Sequence, residues 1–396
     1  MCVCPGAFRD LSAGILEDTY TFMPKYHGQE RGNTLQVYLY AQISWAGKRK
    51  HLTGIPLCPN TMGRKEEIMN TALVTAIGSF SADIVIKNLK KGGIRVVGCD
   101  IYPGEWIADS GSVASFYQVP LATDENRYVD SILKVCREEG VEMLIVLTDV
   151  EADVWNRRRE ELSKASVTLC LSSEETLLIC RDKRRLYHFL AEKGLGNPIP
   201  TSELWEADLE GLTYPAVVKP FNGRSSQGLR YIRSLEEMKG FLESENSEGL
   251  IVQPFYQGSI ITVDVVRQAE TGECGAVCRK ELLRTPNGAG TSVLVFSDPR
   301  LEAMSREIAH ALNINGCVNF EFIQGEDGSY HMLECNPRFS GGVEFSCMAG
   351  YDCVINHLRC FTGEAIEPFR GITGMYIARK YEEYITKVNE GKGGEE

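Results

Sequence analysis

The feature that most constrains this chain is a series of short apolar runs separated by helical segments between residues 70 and 150. The runs cover residues 72–78, 94–100 and 143–147, and the segments between them carry apolar residues at helical spacing. Apolar runs that alternate with amphipathic helices are typical of βαβ units, which place their strands in a parallel sheet. We therefore expect a doubly wound α/β domain at about residues 69–170.

Strands and helices alternate less regularly after residue 170. One helix is predicted for residues 174–193, because its leucines form a single apolar stripe and Gly194 ends it. A strand at 216–219 runs into a loop rich in glycine and serine, and four more strands are predicted from residue 250 onward. The second half of the chain is therefore expected to be α+β, which makes the fold class α/β followed by α+β.

Composition narrows the classes of partner. The 396 residues are 43% apolar and carry a net charge of −12, which disfavours a nucleic-acid backbone or an anionic membrane as the main ligand. No stretch is long and apolar enough to span a bilayer, and the first residues do not resemble a secretory signal. The fourteen cysteines form no C-x-x-C pair. We read them as reduced thiols and expect a cytoplasmic protein.

The two ends of the chain carry no recognisable chemistry. Residues 1–68 form a leader that is basic where the rest is acidic, and apolar and polar residues alternate over 35–45. This alternation predicts one half-buried strand. Such a strand needs a partner strand, either in this chain or in a second copy, so a homodimer is one expectation. Residues 386–396 are expected to form a frayed tail.

The first βαβ unit also raises the alternative of a dinucleotide site. Asp100 ends the second strand 22 residues after Gly78, as an acidic residue does in nicotinamide-binding proteins. However, the loop after Gly78 lacks G-x-G-x-x-G, and Phe80 occupies the place where a pyrophosphate must approach the backbone. A nicotinamide-dependent oxidoreductase is therefore the less favoured hypothesis.

The richest chemical cluster lies near the end of the chain. Glu334 and Asn336 lie two residues apart at a strand end, so their side chains share one face, and Glu321 lies on the preceding strand. Carboxylate and amide oxygens suit a hard cation such as Mg²⁺, and Arg338 adds donors suited to phosphate oxygens. A salt-bridge network of Glu321, Glu334 and Arg338 would explain the same residues without a ligand.

A second cluster combines a lysine with a flexible loop. Lys219 ends the strand at 216–219, and the loop that follows contains two glycines and two serines before residue 229. An ammonium group and backbone N–H groups can hold phosphates, although the loop is not a P-loop because Gly-Lys-Ser/Thr is absent. Lys183 provides a further cation on the preceding helix. By itself it is indistinguishable from a solvated lysine.

The order of these parts resembles the ATP-grasp superfamily, and within it the carbamoyl-phosphate-synthetase-like group of single-chain ligases. The resemblance rests on the run Glu-Cys-Asn-Pro-Arg-Phe-Ser-Gly-Gly at 334–342 and on the Lys-Pro loop at 219–228, and it covers about residues 69–380. It implies a pre-ATP-grasp Rossmann-like domain at 69–170, followed by a two-lobed ATP-grasp fold. The small lobe would span 171–248 and the C-terminal lobe 249–385.

The resemblance also implies which residues bind ATP. They are Lys183, Lys219, Gly223, Ser225, Ser226, Gly228, Gln253, Pro254 and Tyr256. The two lysines and the loop would grip the phosphates, and the last three residues, in the hinge segment 251–256, would contact adenine. The family often has an acid two residues after the hinge glycine to bind ribose. Here that position, counted from Gly258, is Ile260.

The metal and substrate residues follow in the same way. The residues implied to hold Mg²⁺, or Mn²⁺ in its place, are Glu321, Glu334 and Asn336. Arg338 would steady the transferred phosphoryl group, while Lys280 and Arg284 would face phosphate or the substrate carboxylate. Gly341, Gly342 and Glu344 are expected to border the acceptor pocket.

The activity that the resemblance implies is ATP-dependent joining of a small-molecule carboxylate, such as an amino acid, to an amine or a thiol. ATP would convert the carboxylate to an acylphosphate, with release of ADP, and the nucleophile would then displace phosphate. Two other hypotheses stay open within this family. One is phosphorylation of bicarbonate or carbamate, as in carbamoyl-phosphate synthetase, and the other is a non-catalytic ATP-binding regulator.

Overall fold

A computed structural model describes residues 70–223, 227–286 and 288–388 of the chain. The strand predicted at 35–45, most of the predicted tail and the two loop serines, Ser225 and Ser226, lie outside the described residues. Within the described part, no helix is both long and apolar enough to cross a membrane.

The first described part is a five-stranded parallel sheet. Its strands are β1 (Thr71–Val74), β2 (Arg95–Asp100), β3 (Ser115–Gln118), β4 (Met143–Ile145) and β5 (Thr168–Leu169), and its helices are α1 (Ala82–Lys91), α2 (Glu125–Glu139), α3 (Asp149–Arg157) and α4 (Arg159–Lys164). The strand order is β3-β2-β1-β4-β5, and every pairing is parallel. The chain reverses its direction of winding between β1 and β4. The loops after these two strands therefore meet at the carboxyl edge of the sheet, where doubly wound folds bind ligands.

Two short helices follow, α5 (Glu174–Cys180) and α6 (Lys183–Lys193). The prediction of one helix over 174–193 is therefore wrong. The Asp182 carboxylate accepts hydrogen bonds from the backbone N–H groups of Arg184 (2.9 Å) and Arg185 (3.4 Å), which is the geometry of an N-cap. This cap starts a new helix and makes Lys183 its first residue.

A four-stranded antiparallel sheet comes next, which we call the small lobe together with helix α7. Its elements are β6 (Ser202–Glu203), β7 (Ala216–Pro220), β8 (Arg230–Ile232), α7 (Leu235–Ser244) and β9 (Leu250–Pro254). The strand order is β6-β9-β7-β8. Lys219 thus lies near the end of β7, opposite Ile251 on β9.

The last part is a six-stranded antiparallel sheet with three helices, which we call the C-terminal lobe. Its elements are β10 (Ser259–Arg267), β11 (Cys274–Arg284), β12 (Gly290–Phe296), α8 (Pro299–Ala311), β13 (Gly316–Gln324), β14 (Tyr330–Asn336), α9 (Val343–Met348), α10 (Cys353–Thr362) and β15 (Met375–Ala378). The strand order is β14-β13-β10-β11-β12-β15. Three short 3₁₀ helices, at Gly104–Trp106, Ala108–Gly111 and Leu204–Glu206, complete the described structure.

One apolar core joins the parallel sheet to the C-terminal lobe. It contains Val74 of β1 and Ile86 of α1, together with Val277 of β11 and Val354 of α10, all of them at most 1% exposed. Burial of apolar side chains from both parts in one cluster holds them at a fixed distance. The loops at the carboxyl edge of the parallel sheet are consequently held against the C-terminal lobe.

Candidate functional site

A cavity of about 740 Å³ lies where the three sheets meet. The small lobe contributes Lys219 and Gln253, and the C-terminal lobe contributes Glu321 and Glu334. The loop after β1 adds residues 79–81, so the carboxyl edge of the parallel sheet forms one end of the cavity. This volume is within the range of sites that bind small molecules or nucleotides.

Two carboxylates face each other in the middle of the cavity. Glu321 on β13 is directly opposite Glu334 on β14. Burial, followed by the charge of Glu334, raises the pKa of Glu321 to about 7. Burial also acts to raise the pKa of Glu334, but the ammonium groups of Lys183 and Lys219 outweigh it and bring that pKa below its usual value. A cation bound between the two carboxylates would relieve their repulsion.

The predicted phosphate lysines both lie beside Glu334. The Lys183 ammonium group is 3.2 Å from Glu334 Oε2 and donates a hydrogen bond to the carbonyl of Gly223 (2.9 Å). Lys219 is 8% exposed, and burial lowers its pKa to about 8. Two buried ammonium groups on one wall of the cavity can donate to the oxygens of a phosphate chain.

The loop after β7 borders the same wall. Gly223, Gln227 and Leu229 line the cavity, whereas Gly228 does not. Gly228 has a φ of +73°, and a Cβ there would lie 3.0 Å from Pro220. Its role in the described structure is therefore to let the loop turn.

The predicted hinge forms an apolar slot at the other side of the small lobe. Gln253, Pro254 and Tyr256 all line the cavity. The Gln253 side chain donates to the hydroxyl of buried Thr201 (2.7 Å), and the Tyr256 ring lies 4.7 Å from the ring of His331. The sequence analysis missed the apolar residues that complete the slot, because they come from distant elements. Apart from Ile260, they are Ile199, Val217 and Leu333.

Arg338 is held by a carboxylate of the parallel-sheet part. Its Nε and Nη2 donate to Asp149 Oδ1 (3.0 Å) and Oδ2 (2.7 Å), and its Nη1 donates to the carbonyl of Phe339 (3.0 Å). Arg181 also approaches Asp149, at 3.6 Å. The sequence analysis missed Asp149, although it follows β4 at the switch point, where a polar residue is a signal of a site.

The structure places the two basic residues of β11 differently. Arg284 lines the cavity, and its Nη2 is 3.4 Å from Glu321 Oε2. Lys280 is not among the residues that line the cavity, whereas its neighbours Arg279 and Glu281 are. Because side chains alternate along a strand, Lys280 belongs to the opposite face of the sheet. The expectation for Lys280 is off by one residue, since buried Arg279 occupies the face that points to the cavity.

The acceptor end of the cavity is formed by backbone and small side chains. Gly341 and Gly342 line it together with Ser79 and Ser81, whereas Glu344 does not. The Arg379 guanidinium donates hydrogen bonds to the carbonyls of Phe80 (3.3 Å) and Gly341, and so ties the two loops together. A small molecule bound here would contact both the parallel-sheet part and the C-terminal lobe.

The donor set fits a hard divalent cation. Glu321 and Glu334 supply carboxylate oxygens, and Asn336, which also lines the cavity, supplies an amide oxygen. In the described ranges no cluster of three or more His, Cys, Asp or Glu residues is arranged to hold a metal. Two carboxylates and an amide leave coordination positions for other oxygens, as is usual for Mg²⁺ bound together with phosphates.

Comparison with known proteins agrees with this architecture. Residues 246–380 match the family described as ATP-grasp in the biosynthetic pathway with Ter operon. The biotin carboxylase domain dimer of Hydrogenobacter thermophilus 2-oxoglutarate carboxylase, solved with MgADP, ADP and bicarbonate, superimposes with a TM-score of 0.67 at 18% identity. That match covers 78% of this chain and 73% of the other. The chain contains an ATP-grasp domain.

The chain is also similar to a further solved structure and to two carbamoyl phosphate synthase chains. N5-carboxyaminoimidazole synthetase from Staphylococcus aureus, complexed with ADP, gives a TM-score of 0.60 at 15% identity over 78% of this chain and 81% of the other. The arginine-specific large chain of carbamoyl phosphate synthase from Bacillus subtilis is 22% identical over 278 residues, which are 67% of this chain and 26% of the relative. The N-terminal section of the carbamoyl phosphate synthase large chain from Methanopyrus kandleri is 26% identical over 66% of this chain and 49% of its own length.

The predicted fold class is thereby confirmed: a doubly wound parallel sheet precedes a two-lobed ATP-grasp fold. The predicted likeness to carbamoyl phosphate synthase is confirmed as well. The chain spans between a quarter and a half of the length of these synthase chains.

Proposed function

We propose that this protein is an ATP-dependent, ADP-forming ligase that joins a small-molecule carboxylate to an amine, or to a thiol, through an acylphosphate. The observation that supports this best is the pairing of Glu321 with Glu334 beside two buried lysines in one cavity. A structural salt-bridge network would not need the 740 Å³ of open space in front of these charges.

Different residues around the cavity would bind the adenine and the phosphates of ATP. We assign the adenine to the slot that contains Gln253, Pro254 and Tyr256, and the phosphates to Lys183, Lys219 and the loop that begins at Gly223. Glu321, Glu334 and Asn336 would hold Mg²⁺ or Mn²⁺. A metal held by these residues would supply positive charge that offsets the charge of the phosphates.

Catalysis by the chain itself would consist of positioning and charge compensation. Lys183 and Lys219 would offset the charge that develops as the phosphoryl group leaves ADP. Arg338, oriented by Asp149, would direct its remaining Nη1 N–H toward the transferred group. Arg284, beside Glu321, would face the substrate carboxylate.

We also propose a cytoplasmic location and a homodimer. The eleven described cysteines are free thiols, which fits a reducing compartment. The H. thermophilus biotin carboxylase domain is a dimer, which makes this assembly a reasonable one to test by light scattering.

Phosphorylation of bicarbonate is the second candidate. It is favoured by the synthase relatives and by the bicarbonate bound in the H. thermophilus domain. Both candidates begin with phosphoryl transfer from ATP to a carboxylate oxygen, so one assay can separate them from each other and from a non-catalytic regulator.

The test is an ADP-release screen with MgATP, in which amino acids, other small carboxylates and bicarbonate are supplied singly and then with amines or thiols. Hydroxylamine added to the same reactions should trap an organic acylphosphate as a hydroxamate. The Glu334→Gln variant should fold normally and lose turnover by about 100-fold or more. ADP release with bicarbonate alone would select the second candidate. No ADP release with any carboxylate, or equal activity of Glu334→Gln, would refute the ligase proposal.

A further inference from the structure

Glu281 on β11 is a cavity residue that the proposed nucleotide and metal sites do not use. Its Oε1 accepts a hydrogen bond from the hydroxyl of Thr262 (2.8 Å), which is itself 5% exposed. Its Oε2 is shielded from solvent and has no hydrogen-bond partner among the described residues. A carboxylate oxygen that is shielded from solvent and unpaired is destabilising, so a donor from a bound ligand would stabilise Oε2.

The other two carboxylates of the cavity are already balanced by cations. Glu321 has Arg284 at 3.4 Å, and Glu334 has Lys183 at 3.2 Å. Across the described ranges, Glu281 has no Lys, Arg or His nitrogen within the 4 Å of an ion pair. The nearby Arg279 guanidinium donates its hydrogen bonds to Asp264, Ser340 and Ser346, and Glu281 acts on it only through its charge, which helps to raise the pKa of Arg279.

The surrounding chain makes room for this carboxylate. Gly290 on β12 is buried, and a Cβ at that position would overlap Glu281 Oε2. The hydroxyl of Thr262 fixes the other oxygen. Gly290 on β12 and the Thr262 hydroxyl on β10 therefore hold the carboxylate in one orientation, in which Oε2 has no hydrogen-bond partner among the described residues.

A third metal ligand is one explanation for Glu281, but the topology disfavours it. Strand β10 lies between β11, which carries Glu281, and β13, which carries Glu321. Since neighbouring strands lie about 4.8 Å apart, the two backbones are roughly 10 Å apart. The described residues contain no three-carboxylate group able to hold a metal. A cation other than the nucleotide's metal is therefore the better match for Oε2.

We propose that Glu281 binds the cationic amino group of the nucleophile substrate, which makes a primary amine or an amino acid the preferred class over a thiol. The inference rests on the proposed ligase function. Arg279, Glu281 and Gly290 line the cavity together with Gly341 and Gly342, at its acceptor end. Glu281 would recognise the amine there as its ammonium ion and distinguish it from neutral nucleophiles of similar size; the ammonium would release one proton to solvent before the free amine displaces phosphate.

The Glu281→Gln variant tests this, because it keeps the shape and the bond from Thr262 but removes the charge. With the amine found by the ADP-release screen, its KM should rise about tenfold or more, as expected for loss of a charge-assisted hydrogen bond. Two quantities should stay within about twofold of wild type: the dissociation constant for MgADP, and the hydroxamate yield with hydroxylamine, which is largely uncharged at neutral pH. Glu273→Gln, an exposed substitution immediately before β11, is the matched control.

Each outcome decides the question. Weaker MgADP binding by Glu281→Gln, or a smaller hydroxamate yield, would assign Glu281 to the metal site and overturn the proposal. An unchanged KM for the amine would overturn it as well, and so would a screen in which only thiols act as nucleophiles. Failure of the ligase proposal itself looks different, because wild-type protein would then give neither ADP nor hydroxamate with any carboxylate.

Discussion

At the scale of single residues, the site depends on a lysine that is costly to bury. Lys219 is 8% exposed, and its pKa is lowered to about 8 by burial, against the opposing attraction of Glu334. The free protein bears this cost, and a bound phosphate chain would offset it. Residues that are costly in the free protein and useful in the complex are typical of binding sites.

Replacing Lys219 with methionine should therefore separate stability from ligand binding. We expect the free energy of unfolding of the ligand-free variant to be equal to or higher than that of wild type. The affinity for MgADP should fall about tenfold or more, because a charge-assisted contact is lost. Urea denaturation and isothermal titration calorimetry measure the two quantities. Lys239→Met, on the exposed face of α7, should change neither, and an unchanged MgADP affinity in Lys219→Met would remove Lys219 from the phosphate site.

At the scale of elements, the first prediction concerns the contact between α3 and the loop after β14. Asp149, at the start of α3, is 3% exposed and receives two hydrogen bonds from Arg338. Asp149→Asn would remove the carboxylate charge that pairs with the buried Arg338 guanidinium through two hydrogen bonds. We expect a loss of about 3 kcal/mol in the free energy of unfolding, measured in urea.

A control substitution on helix α3 compares the stability contributed by the Asp149–Arg338 pair with that of a more exposed ion pair. Asp153 binds Arg181 from the outer side and is 36% exposed, so Asp153→Asn should cost less than about 1 kcal/mol. Equal stability losses in the two variants would mean that the Asp149–Arg338 pair has no special role in joining the parallel-sheet part to the C-terminal lobe.

The second element-scale prediction concerns helix α10 and strand β13. His357 is 4% exposed, and its Nδ1 accepts a hydrogen bond from the backbone N–H of Cys317 (2.8 Å). Burial lowers the pKa of His357 to about 3, whereas an unfolded histidine titrates near about 6.5. Between these values the unfolded chain binds more protons. The contribution of His357 to stability is therefore complete above about pH 6.5 and is lost as the pH falls toward 3.

A His357→Gln variant should reveal this contribution as a difference in pH dependence. Between pH 6.5 and 5.0, wild type should lose roughly 1 to 2 kcal/mol more stability than the variant. Urea denaturation at both pH values measures it, and subtracting the two proteins cancels the carboxylates, which titrate in the same range. His188→Gln, at an exposed position on α6, should follow wild type. Parallel curves for wild type and His357→Gln would show that His357 is not the titrating group.

The elements also show where sequence reasoning succeeds. Periodicity predicted the parallel sheet and most strands of the two lobes, because each strand buries a face that its own residues specify. It did not locate the break at Asp182. Asp182 caps a new helix without changing the period of the apolar residues. Only the position of this aspartate, just before the N–H groups that it caps, could have indicated two helices.

At the scale of the whole molecule, prediction from the sequence is limited by the distance along the chain between residues that meet in the site. Local patterns singled out Lys219, Glu321 and Glu334, and the family resemblance added Lys183; all four line the cavity. Asp149 and Glu281 were not, because their importance comes from partners on distant elements: Arg338 for the first, and Thr262 with Gly290 for the second. Lys280 was named from the family resemblance, and the structure places Arg279 on the cavity face in its stead, because a one-residue shift along a strand changes the face of the sheet.

The last prediction belongs to the whole molecule, because the proposed nucleotide site takes lysines from α6 and β7 and carboxylates from β13 and β14. A ligand that contacts both lobes should stabilise them together. MgADP at 100 times its dissociation constant should add about 2.7 kcal/mol, which corresponds to a rise in melting temperature of about 5 °C in a single transition. Differential scanning calorimetry with MgADP, and with ADP and EDTA, measures the share that depends on the metal. Glu334→Gln should lose most of that share. An equal rise with ADP and EDTA in wild type would contradict the assignment of a metal to Glu321 and Glu334, and two separate transitions would contradict a site shared by both lobes.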